Sequence, residues 1–168
     1  MNEDAELHES EADLPRAGLL RRLAALVYDA FLVAAIWMLL GYIVVAIFGT
    51  ESNQVVNEQV QTDPIQDVIL FTLMVASCTG FYLYFWLRSG QTLGMLAWRL
   101  RLEDRDGSLV TPLQGLKRFF AAWPAFFCLG IGYFWLYFDG DGDTLHDRLC
   151  RTRVVLVPRS KRPLDKPL

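Results

Sequence analysis

The chain has 168 residues, 53% of them hydrophobic and 21% charged, with a mean hydropathy of +0.25 and a formal net charge of −3. A soluble domain averages about 45–50% apolar and about 25% charged residues, so the excess is modest, but it is unevenly placed. Residues 1–13 hold six acids and no Lys or Arg, whereas Leu23 to Phe48 contains Asp29 as its single charge. That stretch exceeds the ~20 residues a helix needs to cross about 30 Å of hydrocarbon, which excludes a soluble globular enzyme as the starting assumption.

In chain order, residues 1–15 form an acidic tail expected to be a solvated, disordered arm. The first span, about 23–48, follows Arg16, Arg21 and Arg22. It is too long for a signal-peptide core and has no small-residue cleavage site, so it is expected to stay in the mature protein. The second span runs over about 65–87, opened by Asp63-Pro64 as a cap and first-turn pair. Between the spans, Gly49 to Pro64 carries Glu51, Glu58 and Asp63 but no Lys or Arg, while Arg88, Arg99, Arg101, Arg105, Lys117 and Arg118 follow the second span. Short loops rich in Lys and Arg stay cytoplasmic. This places the N-terminus inside, the 49–64 loop outside and the 88–118 segment inside.

A third apolar run, Phe119 to Phe138, is interrupted by Pro124, Gly130 and Gly132. One full crossing would put Arg148, Arg151, Arg153, Arg159, Lys161, Arg162 and Lys166 outside, against the charge bias. Trp98 to Glu103 alternates apolar and charged side chains and is followed by the turn-like Asp104–Gly107, and Thr152 to Val157 has strand composition. These two short strands could pair only on one side of the membrane. Segment 113–147 is therefore expected to be a broken or re-entrant helical hairpin that enters and leaves from the cytoplasm, with a plain third span as the alternative. Non-helical backbone at that depth requires protein or a wet cavity around it. The expected fold is an all-α membrane protein: two full transmembrane helices, the broken third hairpin and a small cytoplasmic two-stranded β element, with a basic tail over 158–168.

Four short patterns occur in order: Arg22-Leu-Ala-Ala-Leu-Val-Tyr-Asp29, Gly90-Gln-Thr-Leu-Gly94, Arg101-Leu-Glu-Asp-Arg-Asp-Gly107, and Thr144-Leu-His-Asp-Arg148 with Thr152-Arg-Val-Val155. Together they resemble the RDD family of small bacterial integral membrane proteins, and the resemblance covers roughly residues 16–157. The family takes its name from one arginine and two aspartates. Carried over, the arginine matches Arg22 and the first aspartate Asp29; the second matches Asp147, with Asp104 as the weaker candidate. Some members are reported as cation/proton antiporters, and the resemblance implies that activity as one option for this chain. The chain departs from the family pattern in the acidic tail and in Asp139-Gly-Asp-Gly-Asp143.

Among single residues, Asp29 is the most informative. A carboxylate at the centre of a span costs about 2.5–3.5 kcal/mol on insertion scales, so it should face the protein interior and pair with a cation or hold a proton. Arg22 lies seven residues earlier on the same stripe, about 10 Å along the axis. The site is either a buried polar lock or an ion or proton site. Asp147 could accept hydrogen bonds from Arg22 with Asp29 nearby, or it could belong to a solvated helix end with His146 and Arg148. His146 alone makes no metal site, since the other histidine is His8 in the tail. The Asp139–Asp143 run has Thr144 and Cys150 where an EF-hand loop needs Gly and Glu, and reads better as a turn. Gly90 and Gly94 read as an interfacial turn, and Phe81–Trp86 and Tyr133–Phe138 as aromatic belts. Cys78, Cys128 and Cys150 show no framework for a disulfide or a metal.

No phosphate-binding, hydrolase, metalloprotease or dinucleotide motif is present, so no enzyme, cofactor or nucleic-acid role is expected. Two function classes remain for a multi-pass protein of the bacterial inner membrane. One is a small-cation/proton antiporter built as a homo-oligomer. The other is a non-transporting scaffold or assembly factor using its basic cytoplasmic face.

Overall fold

The computed structural model describes residues 14–49, 54–56, 59–61, 64–127, 131–140 and 142–158. The acidic arm 1–13, Glu51, Glu58, Asp63, Cys128, Gly130, Asp141 and the basic tail from 159 lie outside the described residues. The elements are α1 (Leu19–Phe48), β1 (Gln54–Val56), β2 (Gln59–Gln61), α2 (Pro64–Ser89), α3 (Leu93–Ala97), β3 (Leu100–Asp104), α4 (Pro112–Phe127), α5 (Ile131–Phe134) with a 3-10 turn over Trp135–Tyr137, α6 (Leu145–Cys150) and β4 (Thr152–Leu156).

α1 and α2 are 30 and 26 residues long, enough to span at 1.5 Å per residue. α1 starts at Leu19, four residues before the expected span, so Arg21 and Arg22 belong to the helix itself. Both helices stop the same way. Gly49 (φ 81) and Gly90 (φ 69) adopt the left-handed conformation that glycine reaches without steric cost, and their N–H groups donate back to Val45 O (2.8 Å) and Trp86 O (3.1 Å). In the most apolar stretch of each helix, only 11% and 6% is buried within the protein. A soluble core helix would be mostly buried, so these apolar surfaces need a non-aqueous neighbour.

Contacts divide the chain into two units, Ala30–Phe81 and Met1–Asp29 with Tyr82–Leu168. In the first, Trp37 Nε1 donates to Met74 O across α1 and α2 (3.0 Å), and β1 pairs antiparallel with β2. The hydroxyls of Thr72 and Thr79 donate to the carbonyls four residues back, at 2.7 and 2.8 Å, and Ser77 donates to Met74 O. Helices in lipid use such back-bonds to satisfy polar side chains where water is absent.

In the second unit, β3 and β4 form an antiparallel pair with Leu102 opposite Val154 and Arg101 opposite Val155. The strand expected from Trp98 begins instead at Leu100, because Arg99 has φ 59 and cannot continue an extended run. Pro15 to Ala17 lies on the other edge of β4: Leu156 N donates to Pro15 O (2.8 Å) and Ala17 N to Val154 O (3.0 Å). The chain just before α1 is thereby tied to a strand near the opposite end of the sequence. Leu100, Leu102, Val110, Val154 and Val155 form the core here.

In the third apolar segment α4 is described up to Phe127 and α5 from Ile131, with residues 128–130 outside the described residues. α4 has 16 residues, and it starts on a capping box in which Thr111 N donates to Gln114 Oε1 (2.9 Å) and Gln114 N to Thr111 Oγ1 (3.4 Å), with Pro112 in the first turn. Beyond it come the four-residue α5, the 3-10 turn and the six-residue α6.

Candidate functional site

The polar centre of the second unit is Asp147, the third residue of α6, which is fully buried. Arg22 Nη1, from the first turn of α1, donates to Asp147 Oδ2, and Arg118 Nη1, from α4, donates to Oδ1. Thr144 N completes the cap of α6 by donating to Oδ2 (3.2 Å). Three segments far apart in the chain thus converge on one carboxylate. Arg22 is used on every side: Nε donates to Ala17 O (2.9 Å) and Nη2 to Val154 O (3.5 Å). Arg118 also donates to Thr152 Oγ1 (2.8 Å) and lies over the Trp86 ring, 5.6 Å from its centroid, a geometry in which the ring face stabilises the cation.

Burial alone would raise the Asp147 carboxyl, but the Arg118 and Arg22 guanidiniums hold it well below the usual carboxylate range. His146 beside it moves the other way. Burial, reinforced by Arg118, lowers the imidazole from 6.5 to about 3, so it is neutral at physiological pH. Its Nε2 lies 3.1 Å from Thr144 Oγ1, its ring meets the Tyr133 ring at 4.9 Å, and its Nδ1 is buried with no hydrogen-bond partner among the described residues.

Asp29 is placed elsewhere. Its buried carboxylate accepts from Thr92 Oγ1 (2.5 Å) and from Gly94 N (2.8 Å). Because Thr92 Oγ1 also accepts from Met95 N (3.2 Å), its single proton is directed at Asp29. Gly94 is required by contact: a Cβ there would sit 2.3 Å from Ala25 O and 2.9 Å from Asp29 Cγ. The structure thus brings Arg22 and Asp147 together and holds Asp29 on Thr92 and Gly94 instead. No hydrogen bond or ion pair links Asp29 to Arg22 among the described residues, and the Gly90–Gly94 pattern is the docking surface for Asp29 as well as a turn.

Of the weaker candidates, His146 lies at this centre, and Asp104 and Arg148 lie outside it. Asp104 ends β3, and its Oδ1 accepts from Arg105 N (2.7 Å) in the following turn. Arg148 is half exposed and donates to Asp139 Oδ1 (2.7 Å). Asp139 Oδ2 in turn accepts from Asp143 N (3.1 Å), and Asp143 pairs with Arg16 Nε at 3.1 Å. These two aspartates bind arginines and a backbone donor of their own chain, a turn reinforced by ion pairs.

Three participants escaped the sequence reading. Arg118 is an arginine at the mouth of an apolar run, the same signal that singled out Asp29, but it also fits a simple positive-inside charge. Thr92 has no local signature. Glu103 sits buried on β3 within 3.3 Å of Arg153 and 3.5 Å of Arg101, and strand alternation gives no sign of that burial.

Two long helices with apolar, protein-free surfaces and a buried, arginine-bound aspartate define a membrane protein with a buried ionic site. The chain belongs to the RDD family, whose family model matches residues 16–151. No curated protein and no solved structure matches it.

Proposed function

We propose that this is an inner-membrane protein that crosses twice and exchanges a small monovalent cation for a proton at Asp29, as a homo-oligomer. The N-terminus, the β3–β4 pair and the C-terminus lie in the cytoplasm, and segment 113–147 enters and leaves from that side. The observation that carries the reading is the contrast between the two buried aspartates. Asp147 has two guanidiniums for one carboxylate, so its negative charge is more than offset within the protein. Asp29, inside a membrane-spanning helix, has among the described residues only a hydroxyl and a backbone N–H. Two neutral donors orient a carboxylate but do not cancel its charge, and an uncompensated charge in that setting is costly. A proton or a small cation taken up in alternation supplies the balance. Two crossings enclose little by themselves, which is the reason for more than one copy.

A second reading has its own support. Both Asp29 oxygens are engaged, and Gly94 is in close contact with α1, which suits a fixed joint in a non-transporting scaffold or assembly factor. Proton flux in proteoliposomes after a salt pulse separates the two. Under the transport reading, Asp29→Asn inserts and folds, since the amide can still accept from Gly94 N, but pH-dependent cation movement is abolished. Equal flux in the variant and the native chain removes the antiporter. Loss of the folded protein without any flux from the native chain supports the joint.

A further inference from the structure

The geometry points to α4 as an interfacial helix, lying along the membrane surface with one face against lipid acyl chains at shallow depth. This rests on the placement of segment 113–147 on one side of the membrane and adds its depth, its orientation and the surface that contacts lipid.

The first ground is that α4 is inverted relative to a helix on a water-soluble protein. Its inward face carries Gly115, Arg118 and Phe119, all buried, and its outward face carries Leu113 (61% exposed), Leu116 (37%), Phe120 (57%) and Trp123 (43%). The spacing of the outward residues is that of a single helical stripe. A charged residue inside and an apolar stripe outside is stable only where the outside is not water. Lys117, also exposed, falls at one edge of the stripe, where a long side chain carries its ammonium to the headgroups while its stem stays in apolar surroundings.

The second ground fixes the depth. The Phe119 ring meets the Tyr82 ring at 6.0 Å, and Gly115 is close enough to α2 that a Cβ there would be 3.0 Å from Leu83 and 3.9 Å from Trp86. Those three α2 residues precede Arg88, the basic residue of the last turn of α2, by two to six positions. At 1.5 Å per residue this is about 3–9 Å along the axis below a headgroup-level charge. An amphipathic helix in the interface buries its apolar face to about 5–10 Å. The occupant of the stripe is therefore the lipid of the leaflet that holds Arg88.

The test is nitroxide depth measurement on the full chain in phosphatidylcholine/phosphatidylglycerol vesicles. Spin labels are placed singly at Leu113→Cys, Leu116→Cys, Phe120→Cys and Trp123→Cys after Cys78, Cys128 and Cys150 are replaced by Ser. Oxygen and a water-soluble nickel chelate compete as relaxants. The expected result is that all four sites favour oxygen at a common depth of about 5–10 Å. A depth that increases steadily from 113 to 123 towards the midplane would overturn the inference in favour of a crossing or a deep re-entrant helix. Preferential relaxation by nickel at all four sites would make the stripe solvent-facing, and dipolar broadening with low access to both relaxants would assign it to a second copy of the chain. Reaction of Lys117→Cys with an impermeant thiol reagent in sealed vesicles of known orientation reports the side separately. Shallow labels on the outer side would refute the cytoplasmic placement and leave the interfacial helix standing. If the cysteine-free chain does not fold, the native chain is compared with Trp123→Phe: the fluorescence lost on substitution should be quenched by lipids brominated near the headgroup more strongly than by lipids brominated at the chain ends, and the reverse order overturns the inference.

Discussion

Asp147 accepts from two guanidiniums and a backbone N–H while fully buried. Removing its charge leaves Arg22 and Arg118 facing each other without a counter-ion, so Asp147→Asn should cost about 3–5 kcal/mol, the scale of breaking a buried pair from one side. Thermal unfolding of the detergent-solubilised chain measures it; a loss within the roughly 0–1 kcal/mol of an exposed pair would contradict the buried geometry. Arg22→Lys should be poorly tolerated in the same assay, because one ammonium cannot reach Ala17 O, Asp147 and Val154 O from a planar fork. The neighbouring imidazole predicts an acid limb. His146 stays neutral down to about 3, whereas in the unfolded chain it takes a proton near its ordinary value of about 6.5. The unfolded state therefore binds more protons below that value, and stability declines as pH falls from 6.5 towards 3. Asp147, depressed by Arg118 and Arg22, has the opposite reference point: its contribution is complete above the ordinary carboxylate value and is lost only below it. His146→Gln should flatten the midpoint down to about pH 5, and an unchanged profile between native and variant would sink this account of the acid limb.

At the scale of elements, β3 and β4 test whether the register is as specific as its burial requires. Leu102 N donates to Gly90 O (2.7 Å) and Val154 O accepts from Ala17 N, so these opposed residues turn their backbone groups away from each other. They form a non-hydrogen-bonded pair, the type that brings side chains closest. Leu102→Cys with Val154→Cys should cross-link on mild oxidation of the otherwise cysteine-free chain. Leu102→Cys with Val155→Cys should not, because a shift of one residue puts the two side chains on opposite faces. Equal cross-linking of both pairs would mean that the register slips. The same strand carries the Pro15–Ala17 segment on its other edge, so a fixed register also orients the start of α1, and with it Arg22.

For the whole molecule, the charge bias of its loops predicts sidedness. Seven basic residues follow His146, and β4 must lie on the same side as β3 to pair with it. A reporter fused after Leu168 should fluoresce as green fluorescent protein and be inactive as alkaline phosphatase. High phosphatase activity would establish a complete third crossing and remove the hairpin. The pairing of β3 with β4 in the structure strengthens the expectation, since a strand pair cannot be divided by a bilayer.

Local sequence was enough for the two long apolar helices and for the composition of the strands. Run length, charge asymmetry and alternation are set by short-range physics: the thickness of hydrocarbon, the cost of a charge inside it and the two-residue period of a strand. Asp29 and Asp147 stood out for the same reason, as carboxylates within or beside apolar runs. The sequence offered Arg22 as one possible partner of Asp147, but the tertiary structure decided which groups meet each carboxylate. Arg22 reaches Asp147 across 125 positions, Arg118 across 29, and Thr92 reaches Asp29 across 63, and no periodicity in a chain of this length encodes such pairings. Arg118 satisfies the charge bias whether it faces phosphate or carboxylate. Its role as the second counter-ion follows only from α4 turning that residue inward and its leucines, Phe120 and Trp123 outward.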